Sequence, residues 1–115
     1  NKGAVLLESI IYTAVKERIN ILIQALECTK SAKDIYKRHI LPDIEITECN
    51  YYEAFQLEGS IYYALWEITK EEDFFNNSIE CCSRCWEWNI QHPQNHYQNV
   101  FKNYSGEILR KHGYI

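Results

Sequence analysis

Apolar residues recur at three- and four-residue steps along almost the whole chain, which is the spacing of one face of an α-helix. The first segment shows this spacing most clearly, at Leu7, Ile11, Val15, Ile19 and Leu26. The chain has only two Pro and four Gly, and turns between β-strands draw heavily on these residues. The pattern therefore predicts an all-α protein.

Breaks in the apolar pattern divide the first part of the chain into two helices. We expect the first over about residues 3–29, either in one piece or broken near Asn20. The polar run at residues 30–33 interrupts it, and a shorter helix covers about residues 32–40. This shorter helix ends before Pro42, because the residue that precedes proline is pushed out of the α region.

The remainder of the chain predicts three more helices, joined by short connections. Residues 43–49 alternate partly between apolar and polar, and without a partner strand we read them as an extended connector. Helices are then expected over about residues 50–69, 73–90 and 95–112.

Two sequence signals mark the ends of these helices. Thr69 and Glu72 have the spacing of a capping box, in which a hydroxyl and a carboxylate satisfy the first backbone amides of a helix. Asp73 is the competing cap for the same helix. Gly113 stands where a C-cap glycine belongs.

The length of 115 residues is that of one domain, so we expect residues 1–115 to form a single helical domain. About five helices with short connections predict an antiparallel helical bundle or an irregular helical array. No apolar run approaches the roughly 18 residues of a membrane span, so we expect no membrane association.

The charge is concentrated in the middle of the chain. Residues 41–90 carry eleven Asp or Glu and two Lys or Arg, whereas the whole chain has a formal net charge of −4. Phosphate binding needs a basic patch, and residues 30–38 supply only a modest cluster of four cations. The balance argues against a nucleic-acid partner and favours a basic protein partner.

The same acidic region holds ten of the aromatic residues, in close pairs such as Tyr51-Tyr52 and Tyr62-Tyr63. Either the rings all fill the core, or one member of each pair faces outward and serves an interface. Tyr and Trp beside carboxylates are typical of interface centres. The predicted partner-binding residues are Tyr63, Trp66, Glu67, Glu71, Glu72 and Asp73.

Five cysteines, an odd number, predict free thiols and a reducing compartment, so we expect a cytoplasmic protein. Cys82, Cys85, His92 and His96 are an alternative zinc-ligand set. The six residues between Cys85 and His92 are fewer than the roughly 12 of common zinc fingers, so we expect no metal and no cofactor.

Catalytic patterns are weak in this sequence. A Cys–His pair remains possible on composition alone, but no turn presents a nucleophile and no glycine loop could cradle a phosphate. Arg and His residues do not recur at the spacing of helical ribonucleases. We therefore expect no enzymatic activity.

The sequences IYYALWE at residues 61–67 and CSRCWEW at residues 82–88 resemble the C-terminal half of some all-helical immunity proteins. These belong to bacterial polymorphic-toxin and contact-dependent inhibition systems, and the resemblance covers about residues 57–106. It implies a small acidic protein that has no catalytic residues and that binds and blocks a basic toxin domain, such as a nuclease. The alternative is a helical adaptor or effector that docks on another protein.

Overall fold

The computed structural model describes residues 2–38, 44–91 and 98–115, and these residues form four helices. The helices are α1 (Lys2–Arg38), α2 (Ile44–Thr69), α3 (Glu72–Gln91) and α4 (Gln98–Lys111). The described residues contain no strand, so the predicted all-α class is confirmed, with four helices in place of about five.

The predicted interruption at residues 30–33 is wrong, because α1 is continuous from Lys2 to Arg38. Asn20 does not break it either. Lysine and alanine are good helix formers, and Lys33 is partly buried where it pairs with Glu58 of α2. Contacts with α2 therefore stabilise the polar run as part of the continuous helix α1.

The extended connector predicted at residues 43–49 is also wrong, because α2 already begins at Ile44. An apolar–polar alternation over three residues is too short to specify a strand. A strand also needs a neighbour for its backbone amides and carbonyls, whereas a helix satisfies these groups within itself.

A tight turn joins α2 to α3. Lys70 adopts the left-handed conformation, with φ of 58°, and its amide donates to the carbonyl of Trp66 at 2.7 Å. The Thr69 hydroxyl accepts from the amide of Glu71 at 3.2 Å. The capping box predicted between Thr69 and Glu72 is therefore replaced by a bond within the turn itself.

The predicted C-cap glycine of α4 is confirmed. Gly113 has φ of +80°, a conformation that L side chains rarely adopt. The amide of Tyr114 donates to the carbonyl of Leu109 at 2.8 Å, and that of Gly113 donates to Arg110 at 3.2 Å. This pair of bonds is a Schellman motif, which turns the end of the chain back toward the bundle.

Helix α2 is the centre of the structure, since it packs against α1, α3 and α4, while α3 also packs against α4. One core cluster joins Leu26 of α1 to Phe55 and Leu65 of α2. A second cluster joins Cys82 of α3 to Leu109 of α4 and their neighbours. Among the described helices none is long and apolar enough to cross a bilayer.

Small residues bring α2 and α3 close together at Gly59. The Ser78 hydroxyl donates to the carbonyl of Gly59 at 2.7 Å. A Cβ added at Gly59 would lie 3.0 Å from Cys82 Sγ and 3.2 Å from Cys81 Cβ. The Cys81 Cβ moves only with its backbone, so the two helices would have to separate.

We expect Gly59→Ala to destabilise the fold by about 1 kcal/mol, although alanine favours a helix by a similar amount. The measurement is urea unfolding followed by circular dichroism. In a Cys82→Ala background the same substitution should cost at least about 0.5 kcal/mol less, because the nearest atom is gone. A Gly59→Ala protein more stable than wild type would show that this approach is not tight.

A similar close approach joins α3 to α4. The indole of Trp86 lies over Gly106, where an added Cβ would be 2.8 Å from the ring. The glycine inside α4 therefore has a packing role that offsets its low helix propensity.

Candidate protein-docking site

Tyr63 and Trp66 lie on the same face of α2, because residues three apart on a helix are neighbours. Their ring centroids are 5.5 Å apart, and both side chains are partly buried. Two of the predicted partner-binding residues are therefore in contact and remain accessible to a partner.

Three rings from other elements complete this group. Phe75 of α3 lies 4.9 Å from Trp66 between centroids, and His112 lies 4.9 Å from Phe75. Tyr114 lies 6.4 Å from Phe75 and is about half exposed. We call these five residues (Tyr63, Trp66, Phe75, His112 and Tyr114) the aromatic cluster.

One hydrogen bond fixes the geometry of the aromatic cluster. The Tyr63 hydroxyl and His112 Nε2 are 2.9 Å apart, and the tautomer of His112 decides which group donates. Because the Schellman motif at Gly113 follows directly, this bond ties the C-terminal end of α4 to α2.

All four predicted carboxylates are exposed. In the sequence they lie between Trp66 and Phe75, two residues of the aromatic cluster. Glu67 follows Trp66 on α2 and lines a cavity of about 420 Å³ together with Tyr63. Glu71, Glu72 and Asp73 are consecutive at the α2–α3 turn. We call these three residues the acidic turn.

Positive charges also lie at this site. Lys70 Nζ stands 4.5 Å from the centroid of the Trp66 ring, and Lys111 Nζ is 5.9 Å from that of Tyr63. Cations over aromatic faces are favourable. The site therefore combines exposed carboxylates with lysines over its rings, and its charge is less uniform than the sequence indicates.

Other aromatic residues of the acidic region lie inside the fold. Tyr62 and Trp88 are buried. Tyr52 stacks on Trp88, with centroids 5.5 Å apart and an angle of 19° between the rings. Of the sequence pairs, Tyr63 and Trp86 are the more exposed members. The aromatic residues of the central helices are therefore divided between the core and the more accessible surface.

Among the residues whose side chains the structure describes, one acidic residue is buried, which the sequence analysis did not anticipate. The Glu58 side chain is 6% exposed and forms an ion pair with Lys33 of α1, whose side chain is 17% exposed. Lys33 Nζ also stands 4.1 Å from the centroid of the Phe55 ring. This ion pair lines a groove of about 320 Å³ between α1, α2 and α3.

Cys82 and Cys85, two of the alternative zinc ligands, are fully buried in separate core clusters. Burial raises the pKa of Cys82 to about 11 and that of Cys81 to about 12, with the nearby charge of Glu58 adding to the second. Metal binding requires the thiolate, which burial disfavours.

The two histidines of the alternative zinc set, His92 and His96, lie outside the described residues. Within residues 2–38, 44–91 and 98–115 no three His, Cys, Asp or Glu side chains are grouped as metal ligands.

Sequence reasoning identified Tyr63 and Trp66 but missed Phe75, His112 and Tyr114. The available signal was Gly113, because a Schellman motif brings the residues on both sides of the glycine back against the bundle. Comparison with known proteins finds no matching family model, no matching curated protein and no matching solved structure.

Proposed function

We propose that this chain is a non-catalytic protein that binds a basic protein partner through the aromatic cluster and the acidic turn. The observation that carries the proposal is the position of Tyr63, Trp66 and Tyr114. These rings remain accessible, and three consecutive exposed carboxylates follow Trp66 at the α2–α3 turn.

Large rings at the centre of an interface supply most of its binding energy. Here the Tyr63 ring is already held by His112, so little side-chain freedom is lost when a partner binds. Exposed carboxylates at the edge of such a site increase the association rate with a positively charged partner.

The resemblance to immunity proteins supports a more specific proposal, that the partner is a bacterial toxin domain with nuclease activity. A nuclease carries positive charge where it holds phosphate, and an acidic surface with aromatic anchors is complementary to such a site. The protein would then act by covering the toxin, in the cytoplasm of the cell that makes both.

The first test is a triple charge reversal of the acidic turn, Glu71→Lys with Glu72→Lys and Asp73→Lys. We expect affinity for the partner to fall by about tenfold or more, and binding to become less sensitive to salt. The partner is captured with the wild-type chain from the organism that encodes it. The affinities are then measured by calorimetry over a range of salt concentrations.

The matched control reverses three exposed carboxylates on three different helices, Glu27→Lys, Glu53→Lys and Glu87→Lys. It changes the net charge by the same amount, so its affinity should stay close to that of wild type. If both triple variants bind equally well, the acidic turn is not part of the interface.

The captured partner also tests the immunity proposal. Its expression alone should stop bacterial growth, and co-expression of the wild-type chain should restore growth while the acidic-turn variant restores it less. A partner that is harmless to the cell would favour the adaptor alternative.

A further inference from the structure

The cavity of about 420 Å³ beside Tyr63 lies between α2 and α4, and we call it the α2–α4 cavity. Its lining residues are Tyr63, Glu67, Tyr104, Glu107, Ile108 and Lys111. The two from α2 are four residues apart, and the four from α4 follow steps of three, one and three, so each set shares one face of its helix. The volume lies within the roughly 300 to 1,000 Å³ of cavities that hold ligands.

The lining of the α2–α4 cavity combines aromatic surface with negative charge. The Tyr104 side chain is about half exposed, and the Tyr63 ring is partly buried. Glu67 and Glu107 are exposed, and neither forms an ion pair with another residue that the structure describes. Ile108, which is buried, supplies the apolar part of the lining. Two carboxylates beside two aromatic rings are complementary to an organic cation.

The cation of the chain itself at this cavity is held only weakly. Lys111 Nζ is 5.9 Å from the centroid of the Tyr63 ring, which is near the limit of roughly 6 Å for a cation–π contact. Lys111 is exposed and forms no ion pair with a described carboxylate, although Glu107 lies four residues before it. A cation that fits the cavity better can therefore displace this ammonium group.

We propose that the α2–α4 cavity receives an arginine side chain of the basic partner. Glu67 and Glu107 would pair with its guanidinium, which would pack against the rings of Tyr63 and Tyr104. A guanidinium is planar and weakly hydrated and has five donors, so it can stack on a ring and pair with carboxylates at once, whereas a lysine ammonium is a strongly hydrated point charge. This role rests on the proposed function, and it adds Tyr104 and Glu107 to the docking site.

The test uses the isolated chain and three capped tripeptides, Gly-Arg-Gly, Gly-Lys-Gly and Gly-citrulline-Gly. Citrulline has the shape of arginine without its charge. Binding is followed by NMR through the ring and amide resonances of the cavity residues. We expect the arginine peptide to bind most tightly and the citrulline peptide to bind about fivefold or more weakly, because hydrogen bonds between charged groups are roughly twice as strong as neutral ones.

Three variants assign this binding to the cavity. Glu67→Gln with Glu107→Gln keeps the shape of both side chains and removes their charge, so it should weaken the arginine peptide by about fivefold or more. The matched control, Glu53→Gln with Glu87→Gln, removes two exposed charges outside the cavity and should bind like wild type. Lys111→Met should strengthen binding by about twofold, because it removes the competing cation.

Three results would overturn the proposal. They are equal binding of the arginine and citrulline peptides, equal binding of the arginine peptide by the two double variants, and cavity resonances that stay unmoved at tens of millimolar peptide. The test contains no partner protein, so its outcome is separate from that of the acidic-turn reversal. A cavity without preference for arginine leaves partner binding through the acidic turn standing, and the reverse also holds.

Discussion

Lys33→Met is expected to lower the free energy of unfolding by about 3 to 5 kcal/mol, which is the usual cost of leaving one charge of a buried pair without its partner. The Glu58 carboxylate lies beneath α1, and Lys33 is its ion-pair partner there. Methionine keeps most of the length and apolar volume of lysine, so the loss reports on charge more than on packing. Urea unfolding gives the difference.

Two further variants separate the buried charge from other causes. The double variant Lys33→Met with Glu58→Leu should recover most of the loss, since neither member of the buried pair then carries a charge. Arg84→Met removes a cation from a pair with Glu80 whose side chains are more than half exposed, and it should cost only about 0.5 kcal/mol. Equal costs for Lys33→Met and Arg84→Met would mean that Glu58 is well hydrated.

Alkaline pH is expected to unfold the protein through Cys81 and Cys82. Burial raises the pKa of these thiols from 9.0 to about 12 and about 11, so the folded state favours the neutral thiol. Their contribution to stability is complete below pH 9 and is lost as the pH rises through the folded pKa. At pH 10.5 we expect about 2 kcal/mol of lost stability for each thiol.

The measurement is urea unfolding at several pH values between about 8 and 10.5. Cys81→Ser and Cys82→Ser should each flatten the decline, since serine does not ionise in this range. Cys28→Ser is the matched control, because Cys28 is exposed, and it should leave the decline unchanged. If stability declines with pH equally in all three variants, then the decline arises from ionisable groups other than Cys81 and Cys82.

The raised pKa values also bear on the chemistry of the cysteine run. A nucleophilic or metal-binding cysteine acts as a thiolate, and Cys81 and Cys82 hold their protons at neutral pH. Together with the burial of Cys85, this favours a structural role in which the thiols pack as small apolar groups.

Most of the fold could be predicted from the sequence because local periodicity determines which segments form helices. The start of α3, although not its cap, was predicted to within one residue from apolar spacing, and the glycine cap of α4 from its own local signal. The two errors, at residues 30–33 and 43–49, have a different origin. There the local signals were weak. At residues 30–33, packing such as the pairing of Lys33 with Glu58 keeps a polar run inside one continuous helix.

The site was predicted only in part. Tyr63 and Trp66 could be placed together because they share one helix, whereas Phe75 and His112 arrive through contacts between elements distant in sequence. Glu58 offered a signal that was not used. It lies three residues after Phe55 and four before Tyr62, so helical spacing places this one carboxylate on the buried face of α2.

The three indoles occupy three different settings. Trp66 lies at the α2–α3 turn beneath Lys70, Trp86 covers Gly106 of α4, and Trp88 is enclosed against Tyr52. Because indole emission shifts with the polarity around the ring, variants that keep one tryptophan each would give separate optical signals. The loosening of the turn, of the α3–α4 contact and of the interior could then be followed one at a time.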